Sequence, residues 1–277
     1  DMLSLQRVKI NEEKLEELSE VSNNFEVMLN SIKRGYLTSK YNGTDKITGR
    51  MYSIDTGFSL QTLPSKNRDI IIAEENCILV EFDYDYFEYF LLSQLCDMKV
   101  EGDPHIHMSK LIFGNESHRD KGKAINYSVI YGQNIDKTLS QLDIENKEEV
   151  KVKVQEVLLP IDTLKLKLEE EYKENGFIKN YYGRKIFPEK SHAILNNYIQ
   201  STGADYFILK LEKLFSKLEG DNKIILQNHD SILFNLNLES IENSNLLEEL
   251  KNILEKEEEG LYALTSLKYG YNWKDLI

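Results

Sequence analysis

The stretch "KIILQNHDSILFNL", from Lys223 to Leu236, consists of two apolar runs around the polar tip Asn228–Ser231. This pattern predicts a β-hairpin. A second stretch, "CILVEFDY" from Cys77 to Tyr84, is a dense apolar run that ends in acidic and aromatic residues, which indicates a buried strand. The segments around both stretches have mostly helical periodicity. The sequence therefore predicts an α+β fold with few strands and many helices.

Periodicity and turn residues also predict the remaining elements. A helix is expected over residues 1–35, followed by a loop-rich segment over 36–70. Two helices are then expected in "DYFEYFLLSQLCD" and in "DPHIHMSKLIFG", the second closed by Gly114, followed by a helix over 119–131 and a helical segment over 134–175 that is interrupted at Pro160. The last elements are a hairpin in "GFIKNYYGRKIFPE", a long helix over 190–218 and a helix over about 240–257.

The composition is that of an ordinary globular protein, with 41% hydrophobic and 29% charged residues in a chain of 277. No apolar run is long enough to cross a bilayer, and the charged N-terminal stretch lacks the pattern of a signal peptide. The two cysteines, Cys77 and Cys96, have no CxxC spacing. We therefore expect an intracellular protein without a disulfide framework or a zinc site.

The net charge is −13, which argues against a surface coated in phosphate-binding cations. Acidic residues concentrate in "NEEKLEELSE", "LEEEYKE" and "EELKNILEKEEE", whereas basic residues concentrate in "KRGYLTSK", "HRDKGK" and "YYGRK". This distribution favours an acidic, solvated side and a locally basic groove.

The segment "RDKGKAINYSVIYG" places Arg119, Lys123, Tyr127 and Tyr131 at intervals of four residues. On a helix they form one stripe roughly 18 Å long, cationic at the N-terminal end and aromatic at the other. A nucleoside triphosphate has a matching order, with an anionic triphosphate at one end, a sugar in the middle and a flat base at the other end. The alternative is a solvated basic face next to core tyrosines.

Two acids occupy strand-associated positions, Asp83 at the end of "CILVEFD" and Asp230 at the hairpin tip. A carboxylate beside an apolar core costs free energy unless it is paired or bound to a metal. Brought together, the two acids could hold a pair of Mg²⁺ ions about 3.5–4 Å apart. The alternative is that each acid caps a turn.

Together these segments resemble the family A DNA polymerases, which are similar to bacterial DNA polymerase I. "FDYDYFE" resembles the first palm motif, "RDKGKAINYSVIYG" the fingers helix and "QNHDS" the second catalytic-acid motif. "TGRMYS", "DPHIH", "GRKIFPE", "NNYIQSTGAD" and "GYNW" extend the match in the family's order over about residues 40–275. A composition rich in Lys, Asn and Ile hints at an AT-rich genome and a phage- or plasmid-type relative.

The resemblance implies a palm, formed by a small antiparallel sheet with helices, and helical fingers, with a truncated or missing thumb. The implied division is a helical remnant of the thumb over 1–40, the first part of the palm over 41–104, the fingers over 105–180 and the second part of the palm over 181–277.

The resemblance also implies individual roles. Asp83, Asp230 and the backbone carbonyl of Tyr84 would bind two Mg²⁺ ions, for which Mn²⁺ could substitute. The catalytic residues would be Asp83, Asp230 and Lys123. The nucleotide would be bound by Arg119, Lys123, Tyr127, His105, Glu88 and Tyr131. Within that set, Glu88 would exclude a ribose 2′-hydroxyl. The primer-template would be bound by Arg50, Asn196, Gln200, His229 and Arg184.

The implied function is a template-directed DNA polymerase core that adds dNTPs to a primer 3′-hydroxyl. So few residues precede the match that we expect no proofreading exonuclease. Two alternatives remain open for the thumb: the chain is a fragment of a longer polymerase, or a thumb or processivity partner is supplied in trans. The implied location is the bacterial cytoplasm, for a protein of bacterial or phage origin.

Ser231 departs from the family pattern, because many relatives carry a second acid after the catalytic aspartate. This departure and the short N-terminal region motivate an alternative, a catalytically weak or silent palm-fingers module that binds nucleic acid or a replication partner. A palm-type RNA polymerase is a third interpretation, and the bulk of Glu88 argues against it. His105 and His107 could also be interpreted as a metal-binding pair, but no third ligand is near them in sequence.

Overall fold

The computed structural model describes residues 7–43, 46–54, 58–131, 133–144 and 146–277. Contacts divide the chain into two compact units. The first unit contains the described residues up to Asp85, together with Phe207–Glu257 and Ala263–Ile277. The second unit contains the described residues of Tyr86–Tyr206, together with Glu258–Tyr262.

The strands of the described residues are β1 (Arg7–Lys9), β2 (Tyr36–Thr38), β3 (Tyr41–Asn42), β4 (Tyr52–Ser53), β5 (Cys77–Tyr84), β6 (Ile178–Lys179), β7 (Lys185–Ile186), β8 (Lys223–Gln227), β9 (Ser231–Asn237) and β10 (Thr265–Gly270). The α-helices are α1 (Glu12–Ser19), α2 (Asn23–Ser31), α3 (Phe87–Leu95), α4 (Pro104–Phe113), α5 (Arg119–Ile130), α6 (Ile135–Gln141), α7 (Lys147–Asn175), α8 (Ile194–Lys217), α9 (Leu238–Asn243) and α10 (Leu246–Glu255).

A four-stranded antiparallel sheet in the order β10-β5-β9-β8 forms the centre of the first unit. Strand β5 lies between β10 and β9, and most of its side chains are buried. This position explains its nearly continuous apolar sequence. Strands β8 and β9 form the predicted hairpin, and β5 has the predicted bounds.

The N-terminal region differs from the single helix expected over residues 1–35. In its described part, β1 pairs with β2 and two short helices, α1 and α2, lie between them. Val8 and Leu37 face each other in the β1–β2 register and are fully buried. Burial of these residues in the core outweighs the helical tendency of the charged segment around them.

The C-terminal region also differs from expectation. The helix expected over 240–257 is two helices, α9 and α10, each preceded by an asparagine, Asn237 and Asn245 respectively. The strand β10 follows in a segment for which the sequence indicated no element. Only Thr265 of this strand is buried, and Lys268 and Tyr269 are exposed, so it lacks the apolar run that marked β5.

Helices α4 and α5 pack against each other in the second unit. Asp103 begins α4, because its side chain accepts hydrogen bonds from the backbone N–H groups of His105 and Ile106. Gly114 ends the same helix at a φ of 73°, as predicted. The predicted hairpin of the second unit is also present, as the pairing of β6 with β7.

Pro160 does not interrupt the helical segment as expected. Helix α7 runs from Lys147 to Asn175 with Pro160 inside it, and a shorter helix, α6, precedes it. A proline inside a helix costs about 3 kcal/mol. The buried face of α7 offsets this cost, with Val154, Leu158 and Ile161 spaced by four and three residues across the proline.

Gly122 lies where α5 packs against α4, and we expect Gly122→Ala to destabilise the second unit. A Cβ atom at this position would lie 2.2 Å from the backbone carbonyl oxygen of His105. Because the clash is with the backbone, we expect a cost near the upper end of the roughly 1–3 kcal/mol typical of overpacking, which exceeds the roughly 1 kcal/mol that alanine gains in helix propensity. Thermal unfolding of the variant should show a lower melting temperature. A matched control is Ala124→Gly, which changes propensity alone at a partly exposed position of the same helix. An unchanged melting temperature for Gly122→Ala would contradict the close packing.

Among the described residues, no helix combines the length and the apolar character that a transmembrane span requires.

Candidate active site

The two predicted metal-binding acids lie on neighbouring elements of the first unit. Asp83 of β5 is directly opposite Ser231 of β9 in the sheet register, and Asp230 immediately precedes Ser231. The backbone N–H of Tyr84 donates to the carbonyl oxygen of Asp230 over 2.9 Å. The sheet thus brings together two acids that are 147 positions apart in the chain.

Negative charges outweigh positive ones in the electrostatic environment of Asp83. Burial and the negative charges of Asp230 and Glu81 raise the pKa of Asp83 to about 7, and the positive charge of Lys268 opposes them. A nearby divalent cation would reverse this shift, because it favours the ionised form. The donor set therefore fits a cation such as Mg²⁺, which prefers carboxylate oxygens.

Glu81 is a buried acid of this region that the sequence did not single out. It lies two residues before Asp83 on β5, so both side chains are on the same face of the sheet. Its Oε1 atom accepts hydrogen bonds from Trp273 Nε1 over 3.1 Å and from Ser231 Oγ over 3.4 Å. The signal for Glu81 in the sequence is an acid inside an otherwise apolar strand.

His229 is at the exposed tip of the hairpin, next to Asp230. Desolvation by the surrounding protein and the positive charge of Arg50 lower the pKa of His229, whereas Asp230 raises it. These two predicted DNA-binding residues, His229 and Arg50, are therefore close enough to influence each other. The ring of Tyr84 points away from the acids, with its hydroxyl donating to the carbonyl of Leu254 over 3.0 Å.

Asp83 and Asp230 form a pair of acids, and the described residues add no further side chain that would complete a metal site with them. Within the part of the chain that the structure describes, no three His, Cys, Asp or Glu side chains are arranged to hold one metal ion. The interpretation of His105 and His107 as part of a metal site gains no third ligand there. Asp83 and Asp230 could bind a cation together with ligands from a substrate, as Mg²⁺ sites commonly do.

The predicted stripe of α5 is on the exposed face of the helix. Tyr127 and Tyr131 are 42% and 46% exposed, so the interpretation of this pair as core is wrong. Their rings are parallel, with centroids 5.8 Å apart, and Lys123 Nζ lies 5.7 Å from the centre of the Tyr127 ring. Ile125 and Asn126 are on the opposite, buried face. The second unit thus presents a cation beside two accessible rings.

Arg119, the first member of the stripe, is held by a network that the sequence did not predict. Its Nε atom donates to Asp103 Oδ2 over 2.8 Å, and its Nη2 atom donates to the Tyr86 hydroxyl over 3.4 Å. The Tyr86 hydroxyl in turn donates to Asp103 Oδ2 over 2.7 Å. Burial alone would raise the pKa of Asp103, but hydrogen bonds from Tyr86, Arg119 and two backbone N–H groups lower it to about 2.

His105 lies between this network and the aromatic rings. Its ring contacts Tyr86 edge-on at 5.2 Å and Tyr127 at 5.9 Å between centroids. Asn126 Nδ2 is 3.1 Å from His105 Nδ1. Burial lowers the pKa of His105, and the charges of Arg119 and Lys123 lower it further against the opposing effect of Asp103. A neutral His105 could donate one hydrogen bond to an anion near the stripe.

The predicted residues on α3 and α8 hold specific positions within the second unit. Gln200 Nε2 donates to Glu88 Oε1 over 3.3 Å, which fixes the side chain of Glu88. Asn196 Nδ2 donates to the carbonyl of Ile130 over 3.3 Å, next to Tyr131 at the end of α5. Asn196 and Gln200 therefore bond to different elements, although they are four residues apart on one helix.

Arg184, a predicted DNA-binding residue, forms an ion pair with Asp205. Its Nε atom is 3.0 Å from both carboxylate oxygens of Asp205, and its Nη2 atom donates to the carbonyl of Ser201 over 3.2 Å. Asn180 also donates to Asp205, over 2.5 Å. Arg184 therefore has a structural function in joining the β6–β7 hairpin to α8. Contact with DNA stays a prediction for this residue.

The sequence profile of DNA polymerase family A matches residues 9–275. The chain belongs to DNA polymerase family A. The match covers both the carboxylate pair and the stripe of α5. The α+β class and the polymerase-type fold predicted from the motifs are confirmed.

Individual relatives agree with this assignment. The chain is 27% identical over 236 residues to the thermostable DNA polymerase I of Thermus aquaticus and 25% identical over 235 residues to DNA polymerase I of Lactococcus lactis. These matches cover 73% and 70% of this chain, but 28% and 26% of the relatives. The DNA polymerase of Mycobacterium phage D29 is 27% identical over 169 residues, covering 54% of this chain and 28% of the relative.

A solved structure has the same fold. The POL domain of Pol1 from M. smegmatis, in a complex with DNA primer-template and dNTP, matches with a TM-score of 0.74 at 20% identity. The match covers 94% of this chain and 52% of that chain. The chain thus spans less than a third of the length of these curated relatives and about half of the solved chain.

Proposed function

We propose that this chain is the catalytic core of a template-directed DNA polymerase. It would add dNTPs to a primer 3′-hydroxyl by phosphoryl transfer assisted by two divalent cations. The observation that carries the proposal is the convergence of Asp83 and Asp230 at one end of β5 and β9, in a chain of this family. Family membership supports the reaction class, and the raised pKa of Asp83 beside the negative charge of Asp230 supports the cation requirement.

Asp83 and Asp230 would hold the cations, with the backbone carbonyl of Tyr84 as a further ligand. When bound, the cations lower the pKa of the primer hydroxyl and neutralise charge on the phosphates. The chain's own contribution is to fix both carboxylates on adjacent strands before substrate arrives. Positioning and electrostatic stabilisation account for most of the catalysis in phosphoryl transfer.

The exposed stripe of α5 would bind the incoming nucleotide. Lys123 and Arg119 would interact with the triphosphate, and His105 would donate a hydrogen bond to it. The ring of Tyr127 would pack against the sugar and base, and Tyr131 would lie beside the template base. Arg119 already binds one oxygen anion, that of Asp103, which supports its capacity to bind a phosphate oxygen.

Selection of the sugar and contact with DNA would involve the other predicted residues. Glu88, held by Gln200, would exclude a 2′-hydroxyl by its bulk. The primer-template would be bound by Arg50, His229, Asn196, Gln200 and Arg184. The M. smegmatis neighbour is a complex with DNA primer-template and dNTP, which supports the same partners for this chain.

Primer extension on this chain tests the proposal, with Asp230→Ala as the variant. We expect extension of a labelled primer with dNTPs and Mg²⁺, little extension with rNTPs, and a loss of at least about a thousandfold in the variant. The exposed acid Asp221, at the other end of the same hairpin, provides a control as Asp221→Ala.

Each outcome distinguishes one class of function. Extension that survives Asp230→Ala would exclude the proposed role of this carboxylate. Efficient use of rNTPs would instead indicate an RNA polymerase. DNA binding without any extension by the wild-type protein would favour a silent binding module.

A further inference from the structure

The buried acid Glu81 has both of its hydrogen bonds on one carboxylate oxygen. It is 7% exposed, and its two hydrogen bonds, from Trp273 and Ser231, both go to Oε1. Within the described part of the chain, Oε2 accepts no hydrogen bond and no cation lies within ion-pair distance of either oxygen. Lys268 is directly opposite Glu81 in the register but does not form an ion pair with it. A buried carboxylate with two neutral donors is costly unless a positive charge is near.

Glu81 lies close to the carboxylates of the proposed cation site. Glu81 and Asp83 share one face of β5, and Ser231, which contacts Glu81, is directly opposite Asp83. The long glutamate side chain therefore extends toward the end of the strand where Asp83 and Asp230 meet. It stops short of a direct ligand position, since no three acids in the described residues form one metal cage.

Glu81 is also tied to the hairpin that carries Asp230. Ser231 Oγ donates to Glu81 Oε1, and Asn228 Nδ2 donates to Ser231 Oγ over 3.3 Å. Asn228 N also donates to the carbonyl of Ser231 over 2.8 Å, which closes the turn around Asp230. On the other side, Trp273 fixes the same oxygen of Glu81.

We infer that Glu81 is a positioning residue of the cation site, which holds the hairpin tip through Ser231 and adds a third negative charge behind Asp83 and Asp230. This inference rests on the proposed function. The cations would add positive charge at the end of β5, on which Glu81 and Asp83 share one face. Ser231 carries no carboxylate of its own, so the third charge comes from the neighbouring strand β5.

Mn²⁺ binding to the whole chain tests the inference without relying on activity. Glu81→Gln keeps an oxygen for Trp273 and Ser231 but removes the charge. The matched control is Glu255→Gln, because Glu255 Oε1 likewise accepts two bonds, from Thr265 N and Thr265 Oγ1. Thr265 is opposite Tyr84, so this pair is on the other face of the sheet from Asp83.

Titration of Mn²⁺ followed by electron paramagnetic resonance gives the affinity of each variant. We expect the dissociation constant for Mn²⁺ to rise about five- to twentyfold in Glu81→Gln, from the loss of one charge near the ions, and to change less than about twofold in Glu255→Gln. The Mg²⁺ concentration for half-maximal primer extension should rise in parallel. Asp83→Asn should abolish measurable binding.

A second variant separates the charge of Glu81 from a purely structural role. Adding Ser231→Glu to Glu81→Gln returns one carboxylate to the same face, from strand β9. We expect Mn²⁺ affinity to recover to within about threefold of wild type, because the third charge is restored. A structural role for Glu81 predicts no recovery, and that result would overturn the inference.

The results that would contradict the role of Glu81 differ from those that would contradict the proposed function. Wild-type Mn²⁺ affinity in Glu81→Gln, together with loss of binding in Asp83→Asn, would overturn the role of Glu81 and leave the proposed function intact. Unchanged Mn²⁺ affinity in Asp83→Asn would overturn both. If Glu81→Gln does not fold, Ser231→Ala removes the hydrogen bonds of Ser231 Oγ to Glu81 and to Asn228 while leaving the charge of Glu81 in place. An unchanged Mn²⁺ affinity there would exclude positioning through Ser231.

Discussion

Asp83→Asn is expected to lower the rate of primer extension by at least about a thousandfold while making the metal-free protein more stable. The loss of activity follows from the loss of a charged cation ligand, and a thousandfold effect corresponds to about 4 kcal/mol in the transition state. The gain in stability follows from relief of charge repulsion. Asparagine has nearly the same shape as aspartate, so packing on β5 should change little.

The stability effect has a defined pH dependence. Burial and the charges of Asp230 and Glu81 raise the pKa of Asp83 to about 7, above its value of about 3.9 in the unfolded chain. The folded state therefore favours the protonated acid, and this stabilisation is lost as the pH rises from about 4 to above 7. Substitution by asparagine should thus stabilise the fold at pH 8 and have no such effect at pH 4.

Thermal unfolding in EDTA measures this effect. Because Asp83 is partly exposed, we expect only about 1–2 kcal/mol at pH 8, or about 3–6 °C in melting temperature. Mg²⁺ should raise the melting temperature of the wild type and not that of Asp83→Asn. Asp221→Asn, which changes an exposed acid of the same unit, should alter neither quantity. A lower melting temperature for Asp83→Asn at pH 8 would contradict the electrostatic explanation.

Lys123→Ala is expected to lower kcat/KM for dNTP incorporation by about 10²–10³-fold. Lys123 is exposed on α5 beside Tyr127, and within the described residues its ammonium forms no ion pair. Its charge is therefore available to a triphosphate, whereas Arg119 must exchange Asp103 for phosphate. Removing one group that stabilises charge in the transition state typically costs this much.

Single-turnover incorporation with a primer-template of defined sequence measures the effect. The control is Lys121→Ala, which removes a cation two residues earlier on α5 that instead donates to the carbonyl of Asp143. Primer-template affinity should stay within about threefold of wild type in both variants, because the stripe is assigned to the nucleotide. If Lys121→Ala and Lys123→Ala lose activity equally, the assignment of the stripe is wrong.

Long, strongly patterned segments were predictable from the sequence. The apolar run of β5 and the hairpin of β8 and β9 were predictable because short apolar runs rich in β-branched and aromatic residues and bounded by polar turns favour buried strands over helices. Gly114 and its φ of 73° ended α4 as expected, since a left-handed residue at a helix end is usually glycine.

Short and edge elements were not predictable in the same way. β1 and β2 are three residues each, and their stability comes from Val8 and Leu37 in a core built from distant segments. The prediction at Pro160 failed for a related reason. A proline in α7 destabilises the helix locally because it lacks a backbone N–H group and its ring clashes with the preceding turn. The packing that offsets this cost depends on residues far away in the chain.

The sequence by itself determined the chemistry that this protein can offer: two acids at strand ends, a stripe of cations and rings, and the motifs of family A. Residue types and their spacing are local properties, so they can be interpreted without coordinates. Only the tertiary structure decided which acids meet, that Glu81 accepts a hydrogen bond from Ser231 beside Asp230, and that Asp103 and Tyr86 hold Arg119. These contacts depend on strand register and helix packing, which set distances between residues that the order of the chain leaves open.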